Sequence, residues 1–133
     1  MYTFPFVPFR YSKTATVGML IIILCLIPSS EFAKLGVRIT FGDVIVHFFM
    51  FLGFSSALFF DMSSRRKNVK KLRIISLTFL LSIGLGITTE LLQHFITSLH
   101  RTGSIVDLMF DVLGTLAGIG FMSTIGRRFV PAP

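Results

Sequence analysis

The chain has 133 residues, of which 53% are hydrophobic and 14% are charged, and its formal net charge at pH 7 is +7. A soluble domain of this length must cover a large surface with polar side chains, and this composition has too few of them. The basic excess does not indicate a nucleic-acid partner, because the Lys and Arg residues lie at the ends of hydrophobic runs and not along one soluble face. The sequence therefore predicts an integral membrane protein whose surface is covered by lipid.

Four apolar runs predict an all-α protein, a polytopic transmembrane bundle of four helices that forms a single domain over residues 1–133. The first run, near 13–29, is the shortest and stops at Pro28. A signal peptide has the same order of basic and apolar residues, but no small-x-small cleavage site follows promptly here. The other three runs predict helices near 43–61, 73–97 and 104–126.

The basic residues outside the runs predict how the bundle is oriented. Ten of the thirteen fall on one side of a four-span topology: Arg10, Lys13, Arg65, Arg66, Lys67, Lys70, Lys71, Arg73, Arg127 and Arg128. Lys34, Arg38 and Arg101 fall on the other side. Cytoplasmic segments of membrane proteins carry the excess of Lys and Arg. Both termini and the loop between the second and third helices are therefore predicted to be cytoplasmic.

Ionisable and amide side chains concentrate in the outer half of the predicted bundle. The second helix carries Asp43 and His47, the third carries Glu90, Gln93 and His94 on one face, and the fourth carries Asp107 and Asp111 on one face. A charged group in the bilayer core costs about 2.5 to 3.5 kcal/mol even on the more permissive insertion scale, so each one needs a partner or a function. These groups are predicted to meet in one pocket.

The depth of the pocket follows from the short turn between the third and fourth helices. In an antiparallel hairpin centred on this turn, Glu90 is expected to be level with Asp111, and His94 with Asp107. With a rise of about 1.5 Å per residue, the first pair would lie roughly 10 Å below the turn. Gly114 and Gly118 continue the face of Asp111 as a small-xxx-small pair, which predicts close packing of the fourth helix against the second or third.

This pattern resembles the VanZ-like family of small bacterial membrane proteins. The resemblance extends from the end of the first helix through the fourth, and its residues are Asp43-x-x-x-His47-Phe48, Glu90-x-x-Gln93, Arg101, Asp107 and Gly114 to Gly118. The chain departs from the family at Val44, where a lysine is common, and at Asp111, where an asparagine is common. The resemblance implies a role at the cell envelope, linked to tolerance of glycopeptide or lipopeptide antibiotics.

Three interpretations of the pocket remain open from the sequence. In the structural interpretation, Arg101 pairs with Asp107 and His47 pairs with Glu90 or Asp111, so that helix order is fixed. In the binding interpretation, Arg101 and His47 face an anionic group of a lipid-linked or amphipathic ligand from the outer leaflet. In the enzymatic interpretation, the acids Glu90, Asp111 and Asp43 and the histidines act in acid/base chemistry or ligate a metal. The sequence specifies no cofactor, because it has no phosphate loop and no zinc motif.

Reporter fusions test the predicted orientation. Alkaline phosphatase fused in the loop between the third and fourth helices should be active, because this enzyme folds only outside the cytoplasm. The same enzyme fused after Phe129 or within the basic segment 65–73 should be inactive. An active fusion in the basic segment would contradict the charge argument.

Overall fold

The computed structural model of the chain describes residues 11–28, 31, 34, 36, 39–64, 69–96 and 104–129, with only the backbone described at 39–42 and 126–129. Four helices contain most of these residues: α1 (Ser12–Leu26), α2 (Ile39–Ser63), α3 (Lys71–Phe95) and α4 (Ile105–Phe129). None of the described residues lies in a strand. The predicted all-helical bundle is therefore confirmed, with one helix for each apolar run.

Two helix ends differ from the prediction for local reasons. α1 ends at Leu26, because Ile27 precedes Pro28 and has extended backbone angles (φ −73°, ψ 127°). α2 begins at Ile39, so Asp43 lies one turn inside the helix instead of opening it. The acid of α2 is thus carried on a helical backbone and is held at a fixed spacing from His47.

Three of the helices are long and apolar enough to cross a membrane: Asp43–Ser63, Lys71–Phe95 and Ile105–Ile125, of 21, 25 and 21 residues. At about 1.5 Å per residue they exceed the roughly 30 Å thickness of a bilayer core. α1 has 15 residues, which span only about 22 Å. The crossing of the membrane by α1 and the cytoplasmic position of both termini remain predictions.

The bundle places apolar side chains outside and polar side chains inside. Large apolar residues are exposed on all four helices, among them Met19, Phe49, Leu80, Phe95, Ile105 and Phe121. Buried polar residues include His47, Ser55, Asp61, Thr78, Ser82, Thr89, Gln93, Asp107, Asp111 and Thr115. In water, polar side chains would lie on the surface and apolar ones in the interior. In a lipid bilayer the acyl chains cannot form hydrogen bonds, so polar side chains are more stable inside the bundle, where other protein groups can pair with them.

The most extensive helix contact joins α2 and α4. A side chain added at Gly114 would meet the backbone of Phe48, and its Cβ would lie 3.1 Å from Leu52 N. A Cβ at Gly118 would lie 2.6 Å from Leu52 O and would also meet the Ser55 hydroxyl. The predicted small-xxx-small pair therefore packs against α2, and only glycine allows the two backbones to approach this closely.

α1 completes the core from the other side of α2. Its buried residues Ile21 and Cys25 belong to one apolar cluster with Phe51 and Phe54 of α2. Gly18 leaves room for the Phe54 ring, whose Cε2 would lie 3.2 Å from an added Cβ. The short first helix is therefore held by packing as well as by any contact with lipid.

The α2–α4 contact can be tested with a matched pair of glycine substitutions. Gly118→Leu should lower the melting midpoint in detergent by several degrees, because overpacking a close contact costs about 1 to 3 kcal/mol. Gly120→Leu is the control, since nothing lies within 4 Å of a Cβ at this position. The readout is labelling of Cys25 by a thiol-reactive dye during heating, because this cysteine is only 2% exposed in the fold. Equal midpoints for the two variants would contradict the proposed packing.

Candidate functional site

A hydrogen bond between α2 and α4 forms the centre of the predicted pocket. His47 Nδ1 donates to Asp111 Oδ1 at 2.9 Å, and the two residues are 1% and 0% exposed. The helical contact at Gly114 lies one turn further along α4 and sets the depth at which these side chains meet. The interhelical pair is thus a direct consequence of the close approach of the two backbones.

Glu90 of α3 completes a three-residue group with this pair. Ligating atoms of His47, Glu90 and Asp111 all lie within 4.8 Å of one another. Ser104 N donates to Glu90 Oε2 at 2.6 Å and so fixes one carboxylate oxygen. The other oxygen, Oε1, is buried and has no hydrogen-bond partner among the described residues, and the same is true of Asp111 Oδ2.

The register of α3 against α4 differs from the prediction. Gly86, one turn deeper than Glu90, is the residue that faces Asp111, and a Cβ added there would lie 3.0 Å from Asp111 Oδ2. The expectation that Glu90 and Asp111 are level was therefore wrong by about one turn. Glu90 still reaches the pair because its side chain is long, and the missing side chain of Gly86 leaves space for the Asp111 carboxylate.

An open groove of about 220 Å³ lies beside this group, between the C-terminal part of α3 and the N-terminal part of α4. Its lining residues are Ile87, Glu90, Leu91, His94, Ser104, Ile105 and Leu108. Most of the lining is aliphatic, and Leu91 and Ile105 are 50% and 80% exposed. Glu90 is the only carboxylate among the lining residues of this mainly apolar groove.

The other predicted site residues occupy different positions. Gln93 is turned toward α1, where its amide donates to Cys25 O at 3.2 Å. Asp43 and Asp107 lie close enough for their charges to act on the His47 ring, and Asp107 is 8% exposed. Arg101 lies outside the described residues, so its pairing with Asp107 remains a prediction. The structure thus brings together His47, Glu90 and Asp111 and leaves Gln93 in a helix contact.

A second polar cluster, at the opposite end of the bundle, was missed by the sequence reasoning. Asp61 of α2 is 3% exposed and accepts hydrogen bonds from Thr14 N at 3.1 Å and from Thr14 Oγ1 at 2.8 Å. Lys13 Nζ lies 3.9 Å from the same carboxylate and 4.9 Å from the centre of the Phe60 ring. The sequence does show an aspartate at the end of an apolar run, which could have been noted as a candidate polar site. Only the tertiary structure shows that this aspartate caps the N-terminus of α1.

The side chains of His47, Glu90 and Asp111 have functional groups that could bind a ligand or a cation or transfer a proton. The carboxylates accept hydrogen bonds, the imidazole can accept or donate a proton, and both kinds of side chain ligate cations. The VanZ/LLP1 family model matches residues 1–126. The chain belongs to this family. Neither the curated proteins nor the solved structures include a match to it.

Family membership agrees with the resemblance that rested on the second, third and fourth helices. Two of the residues quoted for that resemblance, His47 and Glu90, lie in the three-residue group, and Gly114 and Gly118 lie in the α2–α4 contact. In this member of the VanZ/LLP1 family, residues of the pattern that carried the resemblance therefore form the α2–α4 contact and part of the candidate site.

The capping role of Asp61 predicts a measurable effect on stability. Asp61→Ala should destabilise the protein by about 1 to 3 kcal/mol, because it leaves the half-buried Thr14 N–H and hydroxyl without their acceptor. Lys13→Ala is the control and should change stability by less than about 1 kcal/mol, since its side chain is 61% exposed and such ion pairs contribute little. Denaturation in detergent, followed through Cys25 accessibility, measures both. A larger loss for the lysine variant would refute the capping role.

Proposed function

We propose that this VanZ/LLP1 protein binds the polar end of a lipid-linked or amphipathic envelope ligand in the outer half of the bacterial inner membrane, and that binding contributes to tolerance of glycopeptide or lipopeptide antibiotics. The observation that carries the proposal is the groove between α3 and α4, whose mostly aliphatic lining includes the half-buried carboxylate of Glu90. A ligand with this division of apolar and polar parts matches both surfaces at once.

The polar end of the ligand would meet Glu90 first. Its Oε1 is buried without a partner among the described residues, so a hydroxyl or ammonium donor of the ligand would gain a hydrogen bond that the protein alone does not make. An anionic part of the same ligand would extend toward Arg101, whose planar guanidinium suits phosphate. The acyl or prenyl part would lie along Ile87 and Leu91.

Catalysis is a second candidate, favoured by the hydrogen bond between His47 and Asp111. A carboxylate that accepts from one imidazole nitrogen orients the ring, and the second nitrogen can then exchange a proton with a substrate. Glu90 would serve as the second acid or base. Turnover of a lipid-linked substrate by the purified protein distinguishes this from the binding proposal, which expects a stoichiometric complex without product.

The groove can be tested by filling it. Leu91→Trp should remove the antibiotic tolerance that the wild-type gene confers, because the indole occupies the space of the ligand. Leu80→Trp is the matched control: Leu80 lies on the same helix, is 64% exposed and does not line the groove. Susceptibility to a glycopeptide and a lipopeptide is measured with each variant and with the gene deleted. Wild-type tolerance in the Leu91→Trp strain would reject the groove as the binding site.

The polar end is tested by two isosteric changes. Glu90→Gln and Asp107→Asn should abolish the envelope phenotype while both variants insert and accumulate at the wild-type level, measured by immunoblotting of membranes. Loss of the variant proteins from the membrane would instead favour a purely structural role for these acids.

A further inference from the structure

We infer that His47, Glu90 and Asp111 form a binding site for one divalent transition-metal cation, such as Zn²⁺ or Mn²⁺. The inference goes beyond the groove, because the cation would bind with no amphipathic ligand present. It rests on three observations: the convergence of the ligating atoms, the unpartnered carboxylate oxygens, and the space beside Gly86.

The separations fit ligands that share one ion. His47 Nδ1 and Asp111 Oδ1 are 2.9 Å apart, and two ligands about 2.1 Å from a metal and at right angles are about 3 Å apart. Binding would release the Nδ1 proton to solvent, so that the ion takes the place of the hydrogen bond between these two atoms. All three ligating atoms lie within 4.8 Å of one another, against about 4.2 Å for ligands on opposite sides of an octahedral ion. A small rotation of the Glu90 side chain closes the difference.

Oxygens are available to bind the ion. Asp111 is 0% exposed, yet its Oδ2 has no hydrogen-bond partner among the residues that the structure describes, and Glu90 Oε1 is in the same state. Buried polar atoms in native proteins are nearly always satisfied, so two unsatisfied oxygens in one cluster indicate a missing partner. Gly86 keeps this space open, since a Cβ there would lie 3.0 Å from Asp111 Oδ2.

The charge balance favours a dication over other partners. Two ionised carboxylates are costly in a low-dielectric interior, and one dication would neutralise both without adding a net charge. Imidazole among the ligands favours a transition metal such as Zn²⁺ over Mg²⁺ and Ca²⁺, which prefer oxygen alone. The hydrogen bond from Ser104 N to Glu90 Oε2 would hold that carboxylate in the orientation the ion needs.

Metal analysis of the purified full-length protein tests the site. The affinity tag is removed, the protein is stripped with a chelator in detergent, and Zn²⁺ is added and dialysed to equilibrium. We expect about one bound Zn²⁺ per chain by mass spectrometry of the metal, and an affinity at least about tenfold weaker for Asp111→Asn and for Glu90→Gln. Mg²⁺ in excess should not displace the Zn²⁺.

Two controls separate this site from other acids and from surface histidines. Asp61→Asn removes a buried carboxylate at the opposite end of the bundle, and His94→Ala removes an exposed histidine that lines the groove. Both variants should bind as many Zn²⁺ ions per chain as the wild type. Zn²⁺ should also raise the melting midpoint of the wild type but not that of Glu90→Gln. A cooperative melting transition shows that each protein is folded, and the shift with Zn²⁺ shows whether it binds the ion. No bound Zn²⁺ in the wild type, or equal affinity in both ligand variants and the wild type, would overturn the inference and leave the groove proposal standing.

Discussion

The close approach of the α2 and α4 backbones is the constraint on which the rest of the structure depends. Two glycines of α4 lie where any side chain would collide with the backbone of α2. Because lipid offers no hydrophobic drive between helices, such shape complementarity supplies much of their association. It also fixes their relative depth, and His47 and Asp111 can share a hydrogen bond only at this depth.

The acidic side chains at the two ends of the bundle differ in how fully their oxygens are hydrogen-bonded. Asp61 is satisfied by the start of α1, through a backbone N–H and a hydroxyl. Toward the opposite end, Asp111 and Glu90 each keep one buried oxygen without a partner among the described residues. An interhelical hydrogen bond in a membrane contributes on the order of 0.6 kcal/mol, and a central charge costs about 2.5 to 3.5 kcal/mol. The hydrogen bond between His47 and Asp111 does not offset the cost of burying Asp111 and Glu90, and their unpartnered oxygens are the physical reason for assigning these two acids a ligand.

The groove and the inferred cation site share Glu90. A molecule that enters sideways from the acyl chains would reach this carboxylate first, and the His47 and Asp111 pair would lie behind it. A bound dication would neutralise the two carboxylates and allow an anionic group, such as a phosphate, to approach a cluster of acids. Both proposals therefore describe one arrangement, in which the apolar groove leads to the three-residue group of His47, Glu90 and Asp111.

The sequence by itself determined the membrane class, the four helices and the concentration of acidic and histidine side chains toward one end of the last three helices, since hydropathy and helical spacing are local properties. It also identified the glycine pair, but not whether α2 or α3 would contact it. The tertiary structure decided the register, placing Gly86 opposite Asp111, turning Gln93 toward α1 and joining Asp61 to Thr14. These features depend on how far each helix slides and rotates against its neighbours, and side-chain packing across the whole bundle sets that position.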